Sequence, residues 1–266
     1  MDRERFRIET GPQAPTYPLE FLQLYERYFG RVIHLTDCTQ ISPGLNQNQF
    51  EASQLIAEQI EWARKECIGL SVGVFGPMAS GKTTVACLLA STLCEAGAEF
   101  AVYKHGLDIG RTGERLVSHT GDFSVEAKPY QSLVDIDRGP QTLITDEFQF
   151  AADSYQDIGR FLFERKKQGS ITVFSLLDFD FRRFAWQTAA HLLPRLDQIV
   201  VLAARCTDCG KAATFTQRDI NGQPAKVSDP AVVVGAEELY LAKCGRCHQV
   251  EGLDRSVYAQ LIIEVP

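Results

Sequence analysis

The chain has 266 residues, 45% of them hydrophobic and 23% charged, with a formal net charge of −7. That length holds one large α/β domain, or a medium domain with a smaller appendage, and the apolar share is enough for a proper core. The acidic balance argues against broad binding to nucleic-acid backbones, which needs clustered Lys and Arg, and no apolar run approaches the roughly 18 to 20 residues that span a bilayer.

The opening MDRERFRIET has no apolar h-region, so a cytoplasmic address with reduced thiols is expected. The first 17 residues carry charge and proline and predict poor order. Leu19–Thr36 is aromatic-rich and reads as a helix followed by a short strand, and Ile41–Asn48, with Pro43 and Gly44, as a loop. Residues 50–67 place Ala52, Ile56, Ile60, Ala63 and Cys67 three or four apart, an apolar stripe on a helix. After Gly69 the texture alternates. Gly69–Phe75 reads as a strand, Lys82–Glu95 as a helix stopped by Gly97, and Phe100–Lys104 and Gln141–Asp146 as strands. Ile158–Lys167 reads as a helix stopped by Gly169, and Ser170–Leu177 and Ile199–Ala203 as further strands. Continuous apolar strands separated by helices imply an α/β fold, a parallel sheet flanked by helices. From Cys206 onward, paired cysteines and short β-like segments predict a small C-terminal zinc-ribbon unit. Three regions follow: an N-terminal extension over 1–67, partly helical; a P-loop nucleotide-binding α/β domain over 68–203; and a zinc-binding domain with tail over 204–266.

Gly76, Pro77, Met78, Ala79, Ser80, Gly81, Lys82 and Thr83, with Thr84 following, fit the P-loop pattern between a strand and a helix. The glycines let backbone N–H groups turn inward around phosphate oxygens, and the helix that follows points its positive end at them. Lys82 is expected to reach the β- and γ-phosphates of ATP, and the Thr83 hydroxyl to bind magnesium. The strand ending at Asp146 puts a carboxylate where a second magnesium ligand belongs. Glu147 is placed to take a proton from an attacking hydroxyl, although an ATPase would use the same residue to activate water. These residues support phosphoryl transfer and leave the acceptor open.

Cys206 and Cys209, then Cys244 and Cys247, form two CxxC pairs, and two such knuckles close a tetrahedral Cys₄ site for structural zinc. His248 follows the last ligand and reads as a bystander beside it. Cys87 and Cys94, seven apart, read as core thiols, and Cys38 and Cys67 carry no visible chemistry. His105, His119 and His191 read as structural.

From about Gly69 to Val250 the chain resembles the type II, or cellular-type, thymidine kinase family. The resemblance rests on GPMASGKTT, VSHTG at 117–121, DEFQF at 146–150, LLDFDF at 176–181, and CTDCG…TFTQR…VVVGAEELY…CGRCH, all in order. It implies a P-loop kinase-like fold that phosphorylates the 5′-hydroxyl of thymidine to dTMP with ATP and magnesium, in nucleotide salvage. Glu147 would be the base and Asp146 the acid near magnesium. Met78 would sit against the thymine methyl, Phe181 and Tyr240 would border the base, and Thr216 would hydrogen-bond it. The segment between the CxxC pairs would be a lasso reading the pyrimidine edge, anchored by zinc, and the assembly a homo-oligomer, a tetramer. Three departures stand out. Asp108 matches the family's Asp-x-Arg, but Gly110 takes the arginine position, with Arg111 next. Phe181–Phe184 is about two residues short. The first 67 residues have no counterpart. Two other readings remain: a nucleoside kinase with shifted substrate, and a non-catalytic nucleotide-binding regulator built around the extension.

Overall fold

The computed structural model describes residues 31–108, 113–232 and 240–253. The expected disorder of the first 17 residues, the helix within 19–30, the Gly110–Arg111 departure and the C-terminal tail lie outside the described residues. So does part of the segment between the cysteine pairs, 233–239.

Strand β1 (Arg31–Leu35) is followed by a small hairpin, β2 (Gln40–Ser42) and β3 (Leu45–Asn46), where a loop was expected. The turn closes through Gly44 at φ 70°, a left-handed conformation that costs glycine least. Helix α1 (Gln47–Lys65) starts from a capping box. The Asn46 side chain accepts from Gln49 N at 3.1 Å, and Gln49 Oε1 accepts from Asn46 N at 2.8 Å, which satisfies two otherwise orphaned donors. Its stripe Ala52, Ile56, Ile60 and Ala63 is buried as the spacing predicts. Cys67 is not part of that stripe: the helix has ended, and Cys67 is left-handed (φ 51°) and exposed.

Strand β4 (Leu70–Phe75), helix α2 (Lys82–Glu95) and strand β5 (Phe100–His105) follow as the alternation predicts. Cys87 is buried, whereas Cys94 is exposed and is not a core thiol. Between 113 and 130 the chain makes the hairpin β6 (Arg115–Val117) and β7 (Ser124–Glu126) and then β8 (Lys128–Tyr130). Next come β9 (Thr142–Asp146), α3 (Tyr155–Lys167), β10 (Ile171–Leu176), the short α4 (Gln187–Leu192) and β11 (Gln198–Leu202). Helix α3 begins three residues before the expected Ile158 because Ser154 caps it, accepting from Asp157 N at 3.2 Å.

Among the described residues, seven strands form one sheet in the order β1-β11-β4-β10-β9-β5-β8, with every pair parallel. Strands β4, β9, β10 and β11 are buried along their whole length, so both faces need cover. The two-residue period sends Val72, Val74 and Val173 into one cluster with α1 and α2, and Phe75 and Phe174 into another with α3 and α4. Strand β1 and helix α1 come from the stretch ahead of residue 68, yet one pairs with β11 and the other covers the sheet beside α2. Arg165, fully buried, donates to the carbonyls of Arg138, Pro140, Gln141 and Ile171 and so ties the starts of β9 and β10 together.

The last unit is small. Strands β12 (Ala204–Arg205) and β13 (Ala212–Ala213) pair as one ladder, and β14 (Phe215–Ile220) lies between β15 (Gln223–Pro224) and β16 (Tyr240–Lys243) in another. Among the described residues, no helix is long and apolar enough to cross a membrane.

Candidate active site

The parallel sheet brings the carboxyl ends of β4, β9 and β10 to one edge, and the phosphate loop leaves β4 there. Gly76 (φ 149°), Ala79 (φ 62°) and Gly81 (φ 89°) turn the backbone so that successive N–H groups line a concavity before α2 begins at Lys82. A side chain at Gly76 would meet the carbonyl oxygen of Leu202 at 2.4 Å, so only glycine passes there. Lys82 is buried and donates from Nζ to the carbonyls of Gly76 (3.0 Å) and Pro77 (2.8 Å). Burial pushes its pKa down, against the charges of Glu147, Asp146 and Asp178, which favour the cation. Its carbonyl partners are weak ones for a cation, and a phosphate reaching the loop would be a stronger one.

Thr83, in the first turn of α2, donates from Oγ1 to Asp146 Oδ2 at 2.9 Å. Two ligand oxygens on adjacent corners of a magnesium octahedron lie about 3.0 Å apart when the bonds are about 2.1 Å. The Thr83–Asp146 pair therefore fits magnesium in both oxygen type and spacing. Asp146 is held from two further sides: Ser175 Oγ donates to its Oδ1 at 2.5 Å, and Tyr130 donates to its backbone carbonyl at 3.0 Å. Burial, with Asp146 and Glu147 close by, pushes the Tyr130 phenol well above its ordinary range and keeps it a donor.

Glu147 follows in a left-handed conformation (φ 58°, ψ 36°), which swings its side chain out of the strand direction. Its carboxylate accepts from Gln149 Nε2, and Gln149 Oε1 accepts in turn from Leu177 N at 3.0 Å. Ser175, Tyr130 and Gln149 carry no role in the expectations from sequence. A serine inside the apolar run SITVFSLL was the available clue, because a buried hydroxyl at a strand end needs a partner.

The other expected residues gather beside the loop. Thr216 lies on β14 opposite Ala242, and its Oγ1 accepts from Met78 N at 3.0 Å. That bond joins the small unit directly to the phosphate loop. Tyr240, half-buried, stands opposite Arg218 on the same ladder. Phe181 is buried, with the Arg182 and Arg218 guanidinium groups each 5.7 Å from its ring centre. The short Phe181–Phe184 stretch is a closed turn: Asp180 Oδ1 accepts from Arg182 N and Phe184 N, and Asp180 N donates to the Phe184 carbonyl at 2.9 Å. His248 reaches this turn. Its Nε2 lies 3.0 Å from the Phe181 carbonyl and 3.1 Å from that of Thr216, and its Nδ1 accepts from Arg183 Nε at 3.2 Å. With both ring nitrogens engaged, His248 is not a metal ligand here. It tethers the cysteine unit to the Phe181 turn.

The sulfurs of Cys206, Cys209, Cys244 and Cys247 all lie within 4.8 Å of one another, and Cys209 Sγ is 3.6 Å from Cys244 Sγ. Tetrahedral zinc with bonds of about 2.3 Å sets sulfurs about 3.8 Å apart, so the cluster fits a structural zinc. Four thiols this close cannot all ionise without a cation among them. Burial works against the Cys206 thiolate, but the amides of Cys244, Cys209 and Asp208 bring it down to about 6. Hydrogen bonding with Cys244 and Cys209, then burial, holds Cys247 up at about 12. A groove of about 410 Å³ between α3 and Pro194–Asp197 lies at the amino ends of the strands, away from all these groups.

A family model described as thymidine kinase matches residues 70–248. Curated relatives include a thymidine kinase of Coprothermobacter proteolyticus, 33% identical over 190 residues, covering 70% of this chain and 94% of the relative. Thymidine kinases of Thermococcus kodakarensis (34% identity, 66% and 92% coverage) and Pyrobaculum aerophilum (32% identity, 66% and 96% coverage) are similar in the same way.

Proposed function

The chain belongs to the thymidine kinase family, and from that membership we propose that it transfers the γ-phosphoryl group of ATP to the 5′-hydroxyl of thymidine, giving dTMP in cytoplasmic nucleotide salvage. The observation that carries the chemistry is the joint placement of Lys82, the Thr83–Asp146 pair and Glu147 at one sheet edge. In this reading the loop amides and Lys82 hold the phosphates, while Thr83 Oγ1 and Asp146 hold magnesium. Magnesium, when bound, offsets the charge on the transferring phosphoryl group. Glu147, oriented by Gln149, takes the proton of the 5′-hydroxyl as the new P–O bond forms and the bond to ADP breaks. In-line transfer needs little covalent help, so positioning supplies most of the rate.

On the nucleoside side, Met78 meets the thymine methyl, and Phe181 and Tyr240 border the base. The Thr216 hydroxyl, whose oxygen already accepts from Met78 N, keeps its proton to donate. The segment between the cysteine pairs reads the pyrimidine edge through backbone groups, with the zinc knuckles anchoring its two ends, and the assembly is a homo-oligomer. The regulator reading is disfavoured by the intact Lys82, Thr83, Asp146 and Glu147 together, since a chain that only bound nucleotide would need no base beside the magnesium ligands.

The test is kcat/KM for thymidine, deoxyuridine, deoxycytidine and deoxyguanosine, with ATP hydrolysis measured in the absence of nucleoside. Thymidine and deoxycytidine present opposite donor and acceptor pairs, so discrimination reaches about 10⁴, whereas loss of the methyl in deoxyuridine costs about 10- to 200-fold at most. Equal use of thymidine and deoxycytidine would move the chain to a shifted substrate. Hydrolysis without acceptor preference would remove the kinase reading.

A further inference from the structure

The family match begins at residue 70, yet residues ahead of it touch the far end of the phosphate loop and hold the segment that packs on its near end. At the far end, a Cβ on Gly81 would lie 2.0 Å from Gln49 Nε2 and 2.6 Å from Gln49 Cδ, so the Gln49 amide rests directly on that glycine. Gln49 is only 7% exposed, and the capping box with Asn46 fixes its side chain, taking Oε1 and leaving the Nε2 side toward Gly81. At the near end, the carbonyl of Leu202 packs on Gly76. The residue after it is held by the same stretch of chain: Ala203 N donates to the Leu35 carbonyl at 2.9 Å, and the Ala203 carbonyl accepts from Asn48 Nδ2 at 3.1 Å. Between the two ends, Ile56 and Ile60 of α1 share a buried cluster with Val85, Ala86 and Leu89 of α2, the helix that Lys82 opens.

We propose that residues 31–67 are a working part of the nucleotide site, and that Gln49 is a positioning residue which braces Gly81 and sets the phosphate loop before nucleotide arrives. Gln49 acts through Gly81, whose amide and that of Lys82 belong to the phosphate cradle. Its Nε2 hydrogens also turn the positive end of an amide dipole toward that cradle, on the side where negative charge gathers. The proposal rests on the use of ATP at this loop.

The experiment uses the full chain and compares the parent with Gln49→Glu, Trp62→Ala and Lys82→Ala, reading Mg-ATP Kd, KM for ATP, kcat and melting temperature. Glutamate serves at the third position of a capping box as well as glutamine does, so Gln49→Glu is expected to melt with the parent. It replaces the amide hydrogens with an anionic oxygen beside the phosphates, so Kd and KM for ATP are expected to rise about tenfold, with kcat at saturating ATP within about threefold. Trp62, 53% exposed on the same helix, is the control, and Trp62→Ala is expected to match the parent. Parental ATP affinity in Gln49→Glu would overturn the proposal. If Gln49→Glu melts low, Gln49→Met keeps the length without the amide, and an unchanged KM in it would overturn the proposal equally. A parent that binds ATP no better than Lys82→Ala would defeat the nucleotide reading itself, a result distinct from loss of the Gln49 effect alone.

Discussion

Replacing Glu147 with Gln separates chemistry from binding. The amide keeps the length of the side chain and an oxygen that accepts from Gln149 Nε2, so the contact that orients residue 147 survives. The left-handed backbone at this position is no harder for Gln than for Glu, and the Thr83–Asp146 contact lies on other residues. What disappears is the lone pair that receives the proton of the 5′-hydroxyl. Loss of a general base costs about 10² to 10⁴ in rate, which is about 3 to 5 kcal/mol of barrier. The expected result is a fall of that size in kcat with thymidine, with ATP affinity and melting temperature unchanged, because the proposed phosphate contacts belong to Gly76–Thr83. Single-turnover rates with saturating ATP and thymidine, set against ATP Kd, give both quantities. Turnover within threefold of the parent would show that Glu147 is not the base.

The cysteine cluster predicts about one equivalent of zinc per chain in protein prepared without added metal. Cys244→Ser, which removes one of four clustered sulfurs, is expected to lose that metal by elemental analysis, and a fully active chain without metal would contradict a zinc-anchored unit. Stability is expected to fall as the pH drops below about 6.5. Burial pushes the pKa of His34 and of His105 down, so the unfolded chain takes up protons there that the folded chain refuses. Above that window the contribution is complete and flat. Melting temperature against pH for His34→Gln is expected to be flatter than for the parent between pH 7 and 5, and parallel curves would refute the assignment.

Much of the candidate site was legible because its signals are local. Gly76–Thr83, Asp146-Glu147 and the two CxxC pairs are each defined within a few residues, and each sits on a local element: a turn into a helix, a strand end, a knuckle. The helix stripe at Ala52, Ile56, Ile60 and Ala63 was legible for the same reason. Cys67 and Cys94 failed where a period was extended too far. α1 stops at Lys65, ahead of Cys67, and Cys94 sits in the last turn of α2, past the part that β6 covers at Cys87. A period tells which residues share a face, not how far the cover extends.

What the sequence by itself determined is the set of candidate groups: a loop of phosphate-binding pattern, two carboxylates at a strand end and four sulfurs in pairs, with an α/β alternation to carry them. Only the tertiary structure decided who supports them. Parallel strands pair without a local turn between them, so nothing near Arg31 signals its pairing with Gln198. Nothing near Gln49 signals Gly81, and nothing near Thr216 signals the amide of Met78. Ser175 and Tyr130 reach Asp146 from separate parts of the chain for the same reason. A buried polar group takes whichever partner the packed sheet brings within about 3 Å, and that choice is made by the fold as a whole.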